Sequence, residues 1–296
     1  MAADEILITG ATGKTGGYAI DRLLEEGVPV RALVHQVDDR SKALEARGVE
    51  IVQGDLSDFE VVNAALKGIS AAYFVYPIQI PGILEATTYF AQSALEHGVR
   101  AIANMSQISA RREATSHAAR NHWLAERLLD RWGVPVTHLR PTFFAEWATY
   151  FAQIVREKNL LILPFGEARF APIAAEDQGR VIASILTNPA PHGGKTYRLY
   201  GPREITQHEV AEMLTRITGR KITYVPVEIP AFIELLKQLG YNAHFQQHIA
   251  SVAQDGRDGV FSGTNSDVET ITGQKPMDME TFLTKAQSLY SATPSA

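Results

Sequence analysis

The stretch at residues 6–17, ILITGATGKTGG, constrains this chain more than any other. Ile6, Leu7 and Ile8 form an apolar run long enough for the first half of a buried strand. The chain turns at Gly10 and continues from Tyr18 to Leu24 with apolar residues at helical spacing, so the order is strand, glycine turn, helix. Glycines at 10, 13 and 16 give G-x-x-G-x-x-G. Gly10 lets the chain turn sharply, Gly13 lets backbone approach a pyrophosphate, and Gly16 lets the helix pack close to the strand. The helix N-terminus then points free N–H groups and the positive end of its dipole at the phosphates. Thr12, Lys14 and Thr15 add side-chain donors. A tight turn without a ligand would not need three glycines at this spacing. A nucleotidase-type phosphate loop is disfavoured, because Ile8 stands where that loop needs a glycine.

Composition removes whole classes of function. A chain of 296 residues can bury a large core, as one large domain or as a domain with a smaller lobe. Hydrophobic content of 45% and charged content of 21% are ordinary for a globular protein. A net charge of −5 gives no electrostatic footprint for nucleic acid or an acidic membrane surface. The absence of cysteine excludes disulfides, thiolate metal sites and cysteine nucleophiles. The nine histidines are dispersed, with no H-E-x-x-H spacing, so no metal site is expected. No apolar run approaches the roughly 20 residues of a membrane helix. The first strand begins so early that no signal peptide fits before it, which makes the cytoplasm the expected location. The polar tail, 291–296, is expected to be mobile.

After the first helix, Gly27 is a stop and 28–35 reads as a second strand. Its end is where a dinucleotide-binding fold selects its cofactor. An acidic residue there holds the ribose 2′-hydroxyl of NAD, and a basic one accommodates the 2′-phosphate of NADP. His35 ends the strand, with Arg40 and Lys42 soon after, which favours NADP; Asp38 and Asp39 in the same loop keep NAD open. The alternative is that Arg40 and Lys42 belong only to a solvated loop and helix start. Residues 48–53 read as a third strand. Asp55 follows it on the ligand side of the sheet, and Asp58 caps a helix over 59–66. Strands over 69–76, 99–106 and 134–139 alternate with helices over 83–97 and 117–132. Tyr76 and Pro77 end the first of these strands, and Ser106 and Gln107 the second. This alternation predicts an α/β fold, a Rossmann-type doubly wound parallel sheet with helices on both faces. Beyond about residue 155 the elements are shorter and mixed. They include a helix over 144–158, an apolar run over 160–165, a helix over 177–186 and a strand over 195–200. A capping box at Thr206–Glu209 opens a helix to 217, followed by a strand over 222–227 and helices over 230–239 and 244–253. The expected organisation is an NAD(P)-binding domain over 1–155, with part of 176–200, and a smaller α/β lobe over 156–296 that binds substrate. The cleft between them is the natural pocket.

Six segments together resemble a known family: ITGATGKTGG at 8–17, VRALVH at 30–35, GDLSD at 54–58, HWLAERLL at 122–129, LRPTFF at 139–144 and ITGQKPMDMETFL at 271–283. The chain is similar to the NmrA-like branch of the atypical short-chain dehydrogenase/reductases. That branch includes NADPH-dependent triphenylmethane dye reductases, quinone reductases, and redox-sensing regulators that bind NADP without turnover. The resemblance implies a Rossmann domain, a small C-terminal lobe and a cleft between them. It places Gly10, Gly13 and Gly16 on the pyrophosphate and Asp55 and Leu56 beside the adenine. Val75, Tyr76 and Pro77 fall on the ribose side, and Pro141, Thr142, Phe143 and Phe144 near the nicotinamide. Ser106 is counted with the cofactor residues. His35 stands where the family often has arginine, so the 2′-phosphate would fall to His35 and Arg40 together.

The catalytic segment departs from the wider superfamily. A typical member carries Tyr-x-x-x-Lys, often with Glu four residues later. Aligning that Glu with Glu126 puts His122 at the Lys position and Ala118 at the Tyr position. The phenol that gives or takes a proton is absent, which argues against an epimerase or alcohol dehydrogenase of the usual kind. His122 is left to bond the nicotinamide ribose, or to be an exposed helix residue. The weak catalytic candidates are His122 and Tyr150. Hydride transfer needs only a nicotinamide held against an electrophile in a dry site. A quinone, triphenylmethane dye, azo or imine-like acceptor can therefore be reduced with protons from water. Tyr76, Phe144, Trp147 and Tyr150 are the expected acceptor-binding residues, from an aromatic set that also includes Phe143 and Phe151. Two functions are expected: an NAD(P)H-dependent reductase of a flat conjugated acceptor, or a non-catalytic NADP(H) sensor acting through a protein partner. A homodimer is compatible with either.

Overall fold

The computed structural model describes residues 4–291; the tail expected to be mobile lies outside them beyond Ser291. Among the described residues nine strands form two sheets. β1 (Ile6–Thr9), β2 (Val30–Val34), β3 (Glu50–Gln53), β4 (Ala71–Phe74), β5 (Ala101–Met105), β6 (Val136–Pro141) and β8 (Thr196–Leu199) make a seven-stranded sheet in the order β3-β2-β1-β4-β5-β6-β8. Every pairing in it is parallel. β7 (Leu160–Leu163) and β9 (Thr223–Pro226) form a separate parallel pair.

The strands of the large sheet are apolar on both faces because both faces are covered. Ile6, Ile8, Ala71 and Tyr73 point to one layer of core, whereas Leu7, Ala72 and Phe74 point to the other. The first layer is closed by α1 (Lys14–Glu25), α2 (Asp39–Glu45), α8 (Ala175–Thr187) and α12 (Asp267–Thr272), with α1 against α8 and α8 against α12. The second is closed by α3 (Phe59–Leu66), α4 (Ile83–Glu96) and α5 (His117–Leu129), packed side by side. Asp58 caps α3 and Ser116 caps α5 through their side-chain oxygens. α8 and β8 are in the large-sheet layers even though they follow β7 in the chain.

The remaining elements surround a third core. They are α6 (Trp147–Tyr150), α7 (Ala152–Lys158), α9 (Gln207–Thr218), α10 (Ile229–Gln238), α11 (Ala243–Arg257) and α13 (Met279–Lys285), with β7 and β9. The expected capping box opens α9: Thr206 N–H donates to Glu209 Oε2 at 2.9 Å, and Glu209 N–H to Thr206 Oγ1 at 3.2 Å. The single helix expected over 144–158 is instead two. Phe151 interrupts it with φ −109° and ψ 20°, and its ring turns inward onto Phe232 with centroids 5.6 Å apart. α2 is a full helix, and Asp38 and Ser41 close a capping box at its start. No helix among the described residues is long and apolar enough to cross a membrane.

Candidate active site

The order of the large sheet reverses between β1 and β4, and a crevice opens there at the carboxyl ends of the strands. Thr9 ties the two strand ends together, accepting from Val75 N–H at 2.9 Å. Gly10 follows at φ +59°, a left-handed conformation, and a Cβ on it would meet Val75 Cγ1 at 2.6 Å. Gly16 is the point of closest approach between α1 and the loop: a Cβ there would lie 2.5 Å from the Gly10 carbonyl oxygen. That carbonyl also accepts Gly13 N–H at 2.9 Å, which closes the turn. α1 begins with no side-chain cap and no acidic residue in its first turn. Its orphan N–H groups and dipole are therefore open to an anion. The loop is a cradle that side chains would fill, and it fits a dinucleotide pyrophosphate. The Thr15 hydroxyl is shared with buried Tyr73 at 2.9 Å, so of the expected side-chain donors this one is already engaged.

Outward from the loop, the structure gathers the residues expected at the adenosine end. Arg40 chelates Asp38 at 2.9 and 2.6 Å and reaches the Thr12 carbonyl at 3.4 Å. Asp38 is held below the usual carboxylate range by hydrogen bonds, first from the Arg40 side chain. His35 Nδ1 meets Asp55 Oδ2 at 3.2 Å. Asp55 is lowered chiefly by the Ser57 backbone N–H, then by the Ser57 hydroxyl. Both candidates for a 2′-phosphate thus sit beside the glycine loop and the end of β3, each paired with a carboxylate. Leu56 packs half-buried against the α3 layer.

Inward from the loop lies a cavity of about 390 Å³. Lys14, Thr15 and Val75 line one end, residues 141–144 after β6 line its floor, and Trp147 and Tyr150 line the other end. His35, Arg40, Asp55 and Leu56 lie outside its wall. α11 is the roof, with Phe245, His248, Ile249 and Val252 facing inward. The expected aromatic set divides in two. Phe143 lines the cavity yet is mainly core, stacked on Phe170 with centroids 4.6 Å apart; Phe151 is core. Phe144 and Trp147 are half-buried cavity residues, and Tyr150, 59% exposed, is on the rim. Tyr76 presents its ring to the cavity while its hydroxyl donates to the Pro81 carbonyl at 3.0 Å.

His122 is 6% exposed and lines the cavity, rather than standing on the helix surface. Burial, with a contribution from the charge of His248, pulls its pKa to about 3, so the imidazole is neutral. Behind it, Glu126 receives a two-pronged hydrogen bond from Arg140, with Nε to Oε1 at 2.8 Å. This pair, its carboxylate fully buried, joins α5 to β6 and fixes His122 relative to residues 141–144. Ser106 Oγ and Gln107 Nε2, on the cavity wall after β5, are buried without a hydrogen-bond partner. Such orphaned groups suit the hydroxyls or amide of a bound nicotinamide riboside.

Sequence reading missed three features of this site. His248, 7% exposed, lines the roof and bonds the Ser116 hydroxyl at 2.8 Å. Arg111 grips Asp255 at 2.8 and 2.6 Å and so pins the end of α11 to the loop after β5. Glu146 accepts Ala175 N–H at the start of α8 at 2.9 Å, and burial raises its carboxyl above the usual range. Phe245, His248, Ile249 and Val252 lie at helical spacing, a signal that would have marked the roof face of α11. Among the described residues no group of three or more His, Asp or Glu converges as a metal site.

Comparison with known proteins agrees with this architecture. The chain is 26% identical over 289 residues to NAD(P)H azoreductase of Xenophilus azovorans, covering 97% of this chain and 99% of the relative. It is 28% identical over 237 residues to quinone oxidoreductase 2 of Escherichia coli, covering 79% and 82%. Triphenylmethane reductase of Citrobacter sp. superposes with a TM-score of 0.84 at 24% identity, covering 96% of this chain and 99% of that one. The NmrA-like family model matches residues 2–283. The chain belongs to the NmrA-like family.

Proposed function

We propose that this protein, an NAD(P)H-dependent oxidoreductase, reduces a flat conjugated acceptor, a quinone, azo compound or triphenylmethane dye, using NADPH in preference to NADH. The observation that carries this reading is the aromatic-walled cavity of about 390 Å³ at the inner end of a dinucleotide cradle. Aligning Glu126 with the superfamily glutamate puts Ala118 and His122 at the usual Tyr and Lys positions on α5. The named relatives, an azoreductase and a quinone oxidoreductase, support the same class of acceptor.

When bound, the dihydronicotinamide supplies a hydride. The chain's own residues do the rest. Gly10, Gly13 and Gly16 let the backbone come close to the pyrophosphate, the orphan N–H groups at the start of α1 donate to it, and Lys14 adds charge. His35 and Arg40 receive the 2′-phosphate, which requires Arg40 to exchange part of its contact with Asp38. Asp55 and Leu56 flank the adenine, and Val75, Tyr76 and Pro77 the adjoining ribose. Ser106, Gln107 and neutral His122 hold the nicotinamide ribose. Pro141, Thr142, Phe143 and Phe144 shape the floor, while Phe144, Trp147 and the Tyr76 ring stack the acceptor and exclude water. Tyr150 closes the rim. The Tyr76 hydroxyl is turned onto the Pro81 carbonyl, and protons come from water. In this reading the large-sheet layers hold the cofactor and the smaller lobe walls the acceptor site.

The test is a titration with NADPH and NADH by fluorescence, followed in the same sample by quinones, azo compounds and triphenylmethane dyes. Tight NADPH binding with acceptor-dependent loss of the reduced-nicotinamide absorbance is expected. Tight binding with no oxidation across the panel would overturn the reading and favour a sensor that binds NADP(H) without turnover.

A further inference from the structure

The cavity is apolar except for a few groups, and the roof holds one that the proposed reaction has not used. His248 reaches the wall from α11, and its Nδ1 lies 2.8 Å from Ser116 Oγ. Ser116 is fully buried. Its oxygen already accepts Ala119 N–H at 3.0 Å as the cap of α5, and His248 Nδ1 is its only other partner among the described residues. The hydroxyl hydrogen therefore goes to Nδ1. The reverse arrangement would leave a buried hydroxyl hydrogen with no acceptor, the costlier state. A neutral imidazole whose Nδ1 accepts must carry its hydrogen on Nε2. Burial, with the charge of His244 adding to it, pulls the His248 pKa to about 4, so the neutral form is the working one. Nε2–H is a donor with no protein partner among the described residues, on a ring that faces the cavity.

We infer that His248 Nε2–H is the hydrogen-bond donor for the acceptor atom that becomes negatively charged on hydride addition, and that the site is therefore built for neutral acceptors such as quinones and azo compounds rather than cationic dyes. This rests on the reductase reading above. Adding a hydride to a neutral quinone delivers two electrons and one hydrogen, oxidises the dihydronicotinamide to nicotinamide, and leaves one negative charge on a carbonyl oxygen. One proton from water then completes the hydroquinone. With an azo compound the charge falls on the nitrogen that does not receive the hydride, and one proton from water gives the hydrazine. A triphenylmethane cation gains a C–H bond at its central carbon and becomes neutral, so no anionic atom develops and a donor gains nothing. A fixed donor in a dry site acts on the charge that develops in the transition state. It does not give up its own proton, because that would leave an imidazolate. Ser116 is the positioning residue, setting which nitrogen faces the cavity.

The experiment compares menadione with crystal violet as acceptors for NADPH. His248→Leu is expected to lower the ratio of kcat/KM for menadione to that for crystal violet by about 100-fold, the effect of losing one such donor. His248→Gln, which can present an amide N–H near the same place, is expected to restore most of that ratio. A binding readout runs beside it: 4-nitrophenol titrated in the presence of NADP⁺ should ionise at lower pH on the wild-type protein than on His248→Leu, because a hydrogen bond to the phenolate favours it. A ratio unchanged by His248→Leu, or two ionisation curves that coincide, would overturn the inference while leaving the reductase reading in place. A wild-type protein that oxidises NADPH with neither acceptor would instead overturn that reading, and the inference with it.

Discussion

Two neighbouring glycines, Gly16 and Gly17, separate the cofactor cradle from ordinary helix. In Gly16→Ala the new methyl would sit 2.5 Å from the Gly10 carbonyl oxygen, 2.9 Å from its carbon and 3.1 Å from Ala11 Cα. All three are backbone atoms, so no side chain can swing aside. Restoring an ordinary contact of 3.4 Å requires the loop and helix to separate by about 0.9 Å. The Gly10 carbonyl also accepts Gly13 N–H at 2.9 Å, so the turn opens as the carbonyl retreats. Overpacking of this kind costs about 1–3 kcal/mol in stability. Loss of one hydrogen bond to a charged phosphate costs about 1.5–3 kcal/mol, which is roughly a 10- to 100-fold rise in the Kd for NADPH. In Gly17→Ala the nearest atom is the Ala11 carbonyl oxygen at 3.7 Å, an ordinary contact, and helix propensity improves by about 1 kcal/mol. Fluorescence titration of NADPH against both variants, with thermal melts to separate stability from affinity, should find Gly16→Ala weakened and Gly17→Ala unchanged within about twofold. Wild-type affinity in a folded Gly16→Ala protein would refute the cradle.

Four further outcomes follow from the site. Phe144→Ala and Trp147→Ala should raise KM for bulky acceptors in steady-state assays, and Trp147→Ala should also lose stability, since its ring packs on Phe143 and Phe165. Phe143→Ala should lose about 3–5 kcal/mol in urea unfolding, because its ring is stacked into the core on Phe170. Glu126→Gln should lose about 1.5–3 kcal/mol by the same assay, because it removes the buried carboxylate that takes the two-pronged hydrogen bond of half-buried Arg140. His122 makes stability depend on pH: the unfolded imidazole takes up a proton below its ordinary 6.5, whereas the folded one resists until about 3. Its contribution is thus full above pH 6.5 and falls with acid at up to about 1.4 kcal/mol per pH unit, about 2 kcal/mol by pH 5. Urea unfolding of wild type and His122→Gln from pH 7.5 to 5 checks this, and parallel slopes would refute it.

The large sheet was legible because its information is local. Ile6 to Ile8 and Ala71 to Phe74 are apolar at every position, which is what a strand covered on both faces needs, and the intervening helices carry their own caps at Asp58 and Ser116. The glycine loop was legible for the same reason, since 10, 13 and 16 act within one turn. The rest of the site depends on pairings between distant residues. Arg111 and Asp255 are 144 positions apart, and nothing near either marks the other. Phe151 ends one helical turn and begins another because its ring fits against Phe232, a residue on α10. α12 and α13 are 6 and 7 residues long, too short for a periodic pattern to stand out. Helical spacing on α11 gives an inward face, and a core and a cavity leave the same trace in such a face.

The way α11 is held keeps the roof of the cavity in a fixed place. Asn242, just before the helix, donates to the Gln79 carbonyl at 2.9 Å, and Gln247 donates to the Thr115 carbonyl at 2.9 Å. His248 bonds Ser116, and Asp255 bonds Arg111. These contacts tie the roof to two loops after strands of the large sheet, those following β4 and β5, which also line the cavity. The roof is therefore set by the same loops that would meet the nicotinamide. An acceptor that slides in past Tyr150 would find its stacking surface and its hydrogen-bond donor already in place, so little ordering is left to binding. A flat, rigid molecule gains most from such a slot, and a flexible one gains least. The shape of the roof thus argues for the same acceptors as the chemistry of the wall.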